Sequence, residues 1–295
     1  MWRVRKQYTG PLRAAILDWS GTTTDRYVIA PAVVFQEVFK KMDVPITMEE
    51  AREPMGLRKD LHIEAITKMP EVRKRWQHRH GSPPNKKDIE KMFQHYVPAQ
   101  IECLHEYSHI IPGTVEAVSR LRNSLNLKIG VTTGFTRPMA DVLLKALKAQ
   151  GYEPDVNVTG DEVEHGARPG PFMVYENLTR LGVFPIQSVV KVDDSASGIY
   201  EGMNAGCWTV GVYNYSNYTD IDTLEQWDSM DEYEKKTRQE VSKHILRNSG
   251  AHYVIPDVSY LPGVIDDINR RLLNNEEPLI NPPTHCMIRP RFGSY

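Results

Sequence analysis

The feature that most constrains this chain is an interruption. Residues 14–18, AAILD, form a short apolar run ending in an acid, and Gly21-Thr22-Thr23-Thr24 follows at once. That is the pattern of a buried strand breaking into a loop. A single crossover helix should then return the chain to a neighbouring strand. Instead the pattern from Pro31 to about Tyr107 is helical almost throughout. Val33, Val34, Val38 and Phe39 fall on one helical stripe. Thr47 followed by Glu50 predicts a capping box. Further helices are expected over 59–68, 71–79 and 86–106, with Gly81-Ser82-Pro83-Pro84 as the internal breaker.

After Pro112-Gly113 the rhythm changes. Strands are expected at 128–133, 155–159, 188–192, 207–212 and 252–255. Helices are expected at 114–126, 137–150, 170–182, 196–205 and 262–273. This alternation implies parallel strands joined by right-handed crossovers, with helices on both faces. Residues 220–248 read as a charged helical excursion. The expected architecture is α/β: a doubly wound parallel-sheet core, 14–25 and 108–273, with an all-helical cap, 26–107, inserted after the first strand. Residues 1–13 are an N-terminal extension and 274–295 a Pro-rich tail.

Charge narrows the partners. The 295 residues carry 36 basic and 38 acidic side chains, a net charge of −2. No strongly basic face is left for nucleic acid or a membrane, so a small molecule is the expected partner. Cys103, Cys207 and Cys286 are odd in number and lack metal-ligand spacing, which fits a reducing compartment. There is no membrane-length apolar run and no apolar stretch near the N-terminus. A cytoplasmic location is therefore expected.

Ligands of open α/β sheets bind beyond the carboxyl ends of the strands. Asp18, Thr133 and the pair Asp193-Asp194 each stand at such an end. The acids can hold Mg2+, which prefers oxygen ligands. A threonine hydroxyl can hold an anionic oxygen. Thr132 is the neighbour that a one-residue shift would substitute, and Thr133 is favoured because Gly134 follows it. Arg168 adds a fixed positive charge suited to phosphoryl oxygens, although Asp161, Glu162 and Glu164 stand close enough in sequence to claim it. Together these residues are equipment for phosphoryl transfer through a carboxylate nucleophile.

At Asp18-x-x-Gly21-Thr22, Thr133-Gly134, Arg168 and Asp193-Asp194 the sequence resembles the haloacid dehalogenase (HAD-like) superfamily. The segments ILDWSGTTTD, EAREPMGLRKDLHI, TTGFTRPM, ARPGPFM and VDDSASGIYEGMNAGCWTVGV narrow it. They look like the phosphonoacetaldehyde hydrolases, or phosphonatases, over roughly 14–273, with 215–248 matching least. The resemblance implies a Rossmann-like core and hydrolysis of the P–C bond of phosphonoacetaldehyde to acetaldehyde and phosphate. It implies Asp18 as nucleophile and Mg2+ as cofactor. Asp18, the Ser20 carbonyl, Asp194 and Asp193 would hold that ion. Thr133, Gly134 and Arg168 would bind the phosphoryl group. Met55-Gly56-Leu57-Arg58-Lys59-x-x-His62 resembles the family's Schiff-base segment. Lys59 would form the imine, His62 would relay its proton, and Met55 would shield it. A homodimer through the cap helices is the implied assembly.

An alkyl carbanion is a poor leaving group, and an iminium two carbons from phosphorus can take the electron pair instead. Lys59 must then be neutral, and burial or nearby positive charge would favour that form. Arg58 is the neighbour in sequence. The chain also departs from its relatives. Ser20 stands where oxygen-ester phosphatases of the superfamily carry a second acid. Val28 and Phe135 make the expected pocket less polar. Gly198 replaces a later acid, for which Asp193 is the expected compensation. A phosphatase acting on a P–O bond and a catalytically weak phosphonate- or phosphate-binding homologue are the alternative functions.

Overall fold

In a computed structural model of the chain, residues 7–278 are described. Cys286 and most of the expected tail lie outside them, as do the first six residues. Six strands form one sheet: β1 (Ala14–Leu17), β2 (Lys128–Thr133), β3 (Val156–Thr159), β4 (Val189–Asp193), β5 (Trp208–Val212) and β6 (Tyr253–Ile255). Their order is β3-β2-β1-β4-β5-β6, and every pairing is parallel. β1, β4 and β5 are buried along their whole length. Ala15, Leu17, Ile129 and Val192 point into one apolar cluster, while Ala14, Ile16 and Val189 point into another. That is the period-two alternation of a strand covered on both sides.

The interruption after β1 is real. Five helices occupy it: α1 (Ile29–Lys41), α2 (Met48–Arg52), α3 (Lys59–Lys68), α4 (Pro70–His80) and α5 (Lys86–Tyr107). Thr47 and Glu50 form the expected capping box on α2. The first helix starts two residues before Pro31, because Asp25 Oδ1 accepts from the Ile29 and Ala30 amides and satisfies its first turn. The core helices are α6 (Thr114–Asn123), α7 (Arg137–Ala149), α8 (Phe172–Leu181), α9 (Ala196–Ala205), α10 (Leu224–Ser229), α11 (Glu232–Asn248) and α12 (Leu261–Leu273). α8 and α9 cover the face that carries Ile16, and α6 and α12 pack on the opposite side. Among the described residues no helix is long and apolar enough to cross a membrane.

This topology positions the site. β1 pairs with β2 on one side and with β4 on the other, so the strand order reverses there. Leu17 is in register with both Val131 and Val192. One residue further on, Asp18 therefore stands level with Thr132 and Asp193. A crevice at such a reversal is where open α/β sheets bind ligands.

Candidate active site

A small cleft lies between the strand ends and the helical insert. Asp18, Ser20, Thr133, Gly134, Arg168 and Asp194 line it from the core. Val28, Pro31, Met55, Gly56 and Lys59 line it from the insert. Close contact between the two sides depends on absent side chains. A Cβ on Gly134 would sit 2.7 Å from the Leu57 carbonyl, and one on Gly56 would sit 2.1 Å from Ser197 Oγ.

Arg168 organises the core side. Its Nη2 donates to Asp18 Oδ1 at 2.9 Å and to the Thr132 carbonyl and hydroxyl at 2.9 and 3.0 Å. Nη2 also lies 3.1 Å from Asp193 Oδ2, and Nε donates to Glu201 Oε2 at 3.1 Å. Two of the acids near it in sequence are occupied elsewhere: Asp161 and Glu162 bond to Arg137. Of the two threonines, Thr133 faces the cleft, while Thr132 is buried in the Arg168–Glu201 network.

Sequence reasoning missed Glu201 and Lys191. Both are fully buried, and Lys191 Nζ reaches Asp193 Oδ2 at 2.6 Å and Glu201 Oε2 at 3.5 Å. The available signal was spacing. Lys191 and Asp193 are two apart on β4 and therefore share a face. Asp193 is fully engaged: Oδ1 accepts from the Ser195 amide and hydroxyl, and Oδ2 faces Lys191 and Arg168. It does not line the cleft. Its carboxylate fills the space a side chain at 198 would need, since a Cβ on Gly198 would fall 2.0 Å from it.

Asp18, Asp193 and Asp194 bring carboxylate oxygens within 4.8 Å of one another. Burial pushes Asp194 well above the usual carboxylate range, and the charges of Asp193 and Asp18 add to that. Burial also raises Asp18, against the pull of Arg168. Burial acts the same way on Asp193, but Arg168 and Lys191 outweigh it and hold that group below its ordinary value. Four acidic side chains face two basic ones in this cluster, an excess of negative charge in a dry site. A hard divalent cation with oxygen ligands fits that donor set.

The insert side differs. Lys59 starts α3, is 4% exposed, and its Nζ makes no hydrogen bond or ion pair among the described residues. Its Nζ lies 5.1 Å from the Phe135 ring centroid and 5.7 Å from that of Phe35. Burial pulls its pKa down to about 8, against Asp18 and with help from Arg168. The helpful charge is thus Arg168. Arg58 is turned away into a two-pronged pair with Asp60 at 2.7 Å. His62 stacks on Phe35 with ring centroids 3.8 Å apart, and its Nε2 lies 2.9 Å from the Ala51 carbonyl. A carbonyl only accepts, so Nε2 carries the proton. The buried Nδ1 then has a free lone pair and no partner. Burial, and then the charge of Lys59, hold His62 well below its ordinary pKa. Met55 sits in the turn between α2 and α3, against the cleft.

Residues 16–212 match the family model for haloacid dehalogenase-like hydrolases. The chain is 41% identical over 271 residues to a phosphonoacetaldehyde hydrolase of Hahella chejuensis, covering 92% of this chain and 91% of that one. It is 44% identical over 260 residues to one of Bacillus cytotoxicus, covering 88% and 97%.

The chain belongs to the phosphonoacetaldehyde hydrolase family of haloacid dehalogenase-like hydrolases.

The crystal structure of a phosphonoacetaldehyde hydrolase-like protein from Oleispira antarctica matches it with a TM-score of 0.90 at 36% identity, covering 94% of this chain and all of that one. This chain thus shares the fold of that structure over nearly its whole length.

Proposed function

We propose that the protein hydrolyses the P–C bond of phosphonoacetaldehyde through an imine on Lys59 and a phosphoryl group on Asp18. The observation that carries this reading is a solitary buried amine facing the same small cleft as an arginine-held carboxylate. At a pKa of about 8, roughly one Lys59 in ten is neutral at pH 7, against about one in 2,500 for an exposed lysine. Neutral Nζ attacks the aldehyde carbon, and loss of water leaves an iminium. The unpartnered Nδ1 of His62 supports a role in taking up the proton that Lys59 releases.

Arg168 fixes Oδ1 of Asp18, and Oδ2, which takes no hydrogen bond among the described residues, is the oxygen that attacks phosphorus. As the O–P bond forms, the P–C electron pair moves into the iminium and the organic fragment leaves as an enamine. Protonation at carbon and addition of water release acetaldehyde and free Lys59. A second water hydrolyses the phosphoryl-aspartate. One water is released and two are consumed, as net hydrolysis requires. Thr133, Gly134 and Arg168 supply donors for the phosphoryl oxygens. Asp18, Asp194 and the Ser20 carbonyl would hold Mg2+, with Asp193 adding its charge from behind. When bound, that ion neutralises carboxylates and phosphoryl oxygens that would otherwise repel. Ser20 also argues against an oxygen-ester substrate, because a hydroxyl is too weak an acid to protonate a leaving alkoxide.

The test is reductive trapping. Incubation with phosphonoacetaldehyde and borohydride should place a reduced two-carbon adduct on Lys59, located by peptide mass spectrometry. Acetaldehyde release without any adduct would overturn the imine. No adduct and no release would overturn the substrate.

A further inference from the structure

The loop after β5 is tied to the strand-end acids and to the helical insert at the same time. Ser216 Oγ donates to the Asp194 carbonyl, and the Asn217 amide donates to Asp194 Oδ2, both at 2.9 Å. The Asn217 side chain pairs with Arg52 in both directions. Its Oδ1 accepts from Arg52 Nη1 at 3.1 Å, and its Nδ2 donates to the Arg52 carbonyl at 3.2 Å. Arg52 ends α2, just before the turn that carries Met55 and leads to Lys59. It is buried, and its guanidinium also reaches the carbonyls of Tyr27 and Ile221 and faces Asp222 at 3.5 Å.

The junction between core and insert depends on the same loop. Asp25, Tyr27 and Val28 have φ of 49, 68 and 56°. Left-handed backbone is costly for side chains other than glycine and persists only where the surroundings impose it. Here the Tyr27 amide donates to the Tyr215 carbonyl at 2.8 Å, and the Tyr27 ring packs on Trp227 at 5.2 Å.

We infer that Arg52 and Asn217 are positioning residues that couple the seating of the insert to the orientation of Asp194. A buried guanidinium is costly without its acceptors, so Arg52 holds the insert against the 214–222 loop. Asn217 then holds Asp194 with its backbone and Arg52 with its side chain. Neither residue lines the cleft. The coupling itself stands on these contacts; only its consequence for Mg2+ rests on the proposed cation role of Asp18 and Asp194.

Full-length Arg52→Ala and Asn217→Ala proteins test this through two readouts, amide hydrogen exchange without metal and Mg2+ affinity by calorimetry. Loss of a group that orients a metal ligand costs about 10- to 100-fold in affinity. Each variant should therefore weaken Mg2+ binding at least about tenfold and speed exchange in 214–222, and the double variant should be no worse than either single one. Arg52→Lys, which keeps the charge and loses the fork, should stay impaired. Wild-type exchange in 214–222 in a folded Arg52→Ala protein, or additive losses in the double variant, would overturn the coupling. If Arg52→Ala does not fold, Asn217→Ala decides from the other side: faster exchange at 55–63 on the insert supports the coupling, and unchanged exchange there overturns it. If the wild-type protein binds no Mg2+, the cation role fails and exchange alone judges the coupling.

Discussion

Lys59 and Lys191 are both buried, within one molecule and near one site, yet they lie in opposite surroundings. Lys191 is held between Asp193 and Glu201 beneath the strand ends. Lys59 lies among Phe35, Phe135 and Met55, with no ion pair among the described residues. A paired basic group in a dry site is an electrostatic support, and removing it leaves its partners stranded. An unpaired one is destabilised in its charged form and so becomes a nucleophile at moderate pH. The core side of the cleft thus keeps charge in place, and the insert side disfavours the charged form of its amine.

The contrast can be broken most severely at the proposed nucleophile. Asp18→Asn should lower kcat by at least about 10^4-fold, in the range seen when an essential nucleophile is removed; full activity in an acetaldehyde-release assay would rule out the assignment. Next come the lysines, compared by urea denaturation at pH 7. Lys191→Met leaves Asp193 and Glu201 with Arg168 as their one remaining basic partner and should cost about 3–5 kcal/mol, as breaking a buried pair does. Lys59→Met should abolish the borohydride adduct and yet stabilise the fold by about 1–3 kcal/mol. The same sign for both variants would erase the distinction between the two regions.

The pH dependence has a smaller effect and a defined direction. Folding lowers the Lys59 pKa from 10.5 to about 8. Between those values the unfolded chain binds more protons, so this group makes stability rise with pH across that window. The rate of borohydride-dependent inactivation should climb through about pH 8 and then level, while Lys59→Met should show no such step. The smallest expected effect is at Phe135. Phe135→Tyr restores a hydroxyl to the cleft and should change kcat/KM by about tenfold or less, the worth of one hydrogen bond; a much larger change would mean that this wall does more than pack against Lys59.

Much of this architecture was legible in the sequence. The helix over 59–68, the strand over 128–133 and the helix over 196–205 stand where periodicity and caps put them. The strand-end positions of Asp18, Thr133 and Asp194 follow from the general rule for parallel sheets. Lys191 and Glu201 were harder because charged residues inside a strand and a helix usually mark solvated faces. Only the covering of β4 by α9 makes them a buried pair. Arg52 carried no signal of its own, since its acceptors, the carbonyls of 27 and 221 and the side chain of Asn217, are brought together only by the fold. The strand expected at 188–192 runs one residue later and ends on Asp193, whose carboxylate is held by Lys191 and Ser195.

The absent Cβ of Gly198 bears on how this sequence can change over time. One volume beside β4 has room for one acidic side chain, and position 193 has filled it. An acid arriving at 198 while Asp193 remains would collide, and losing Asp193 first would leave Lys191 short of a partner. The two positions are therefore locked by mutual exclusion, and neither can drift until the other has moved.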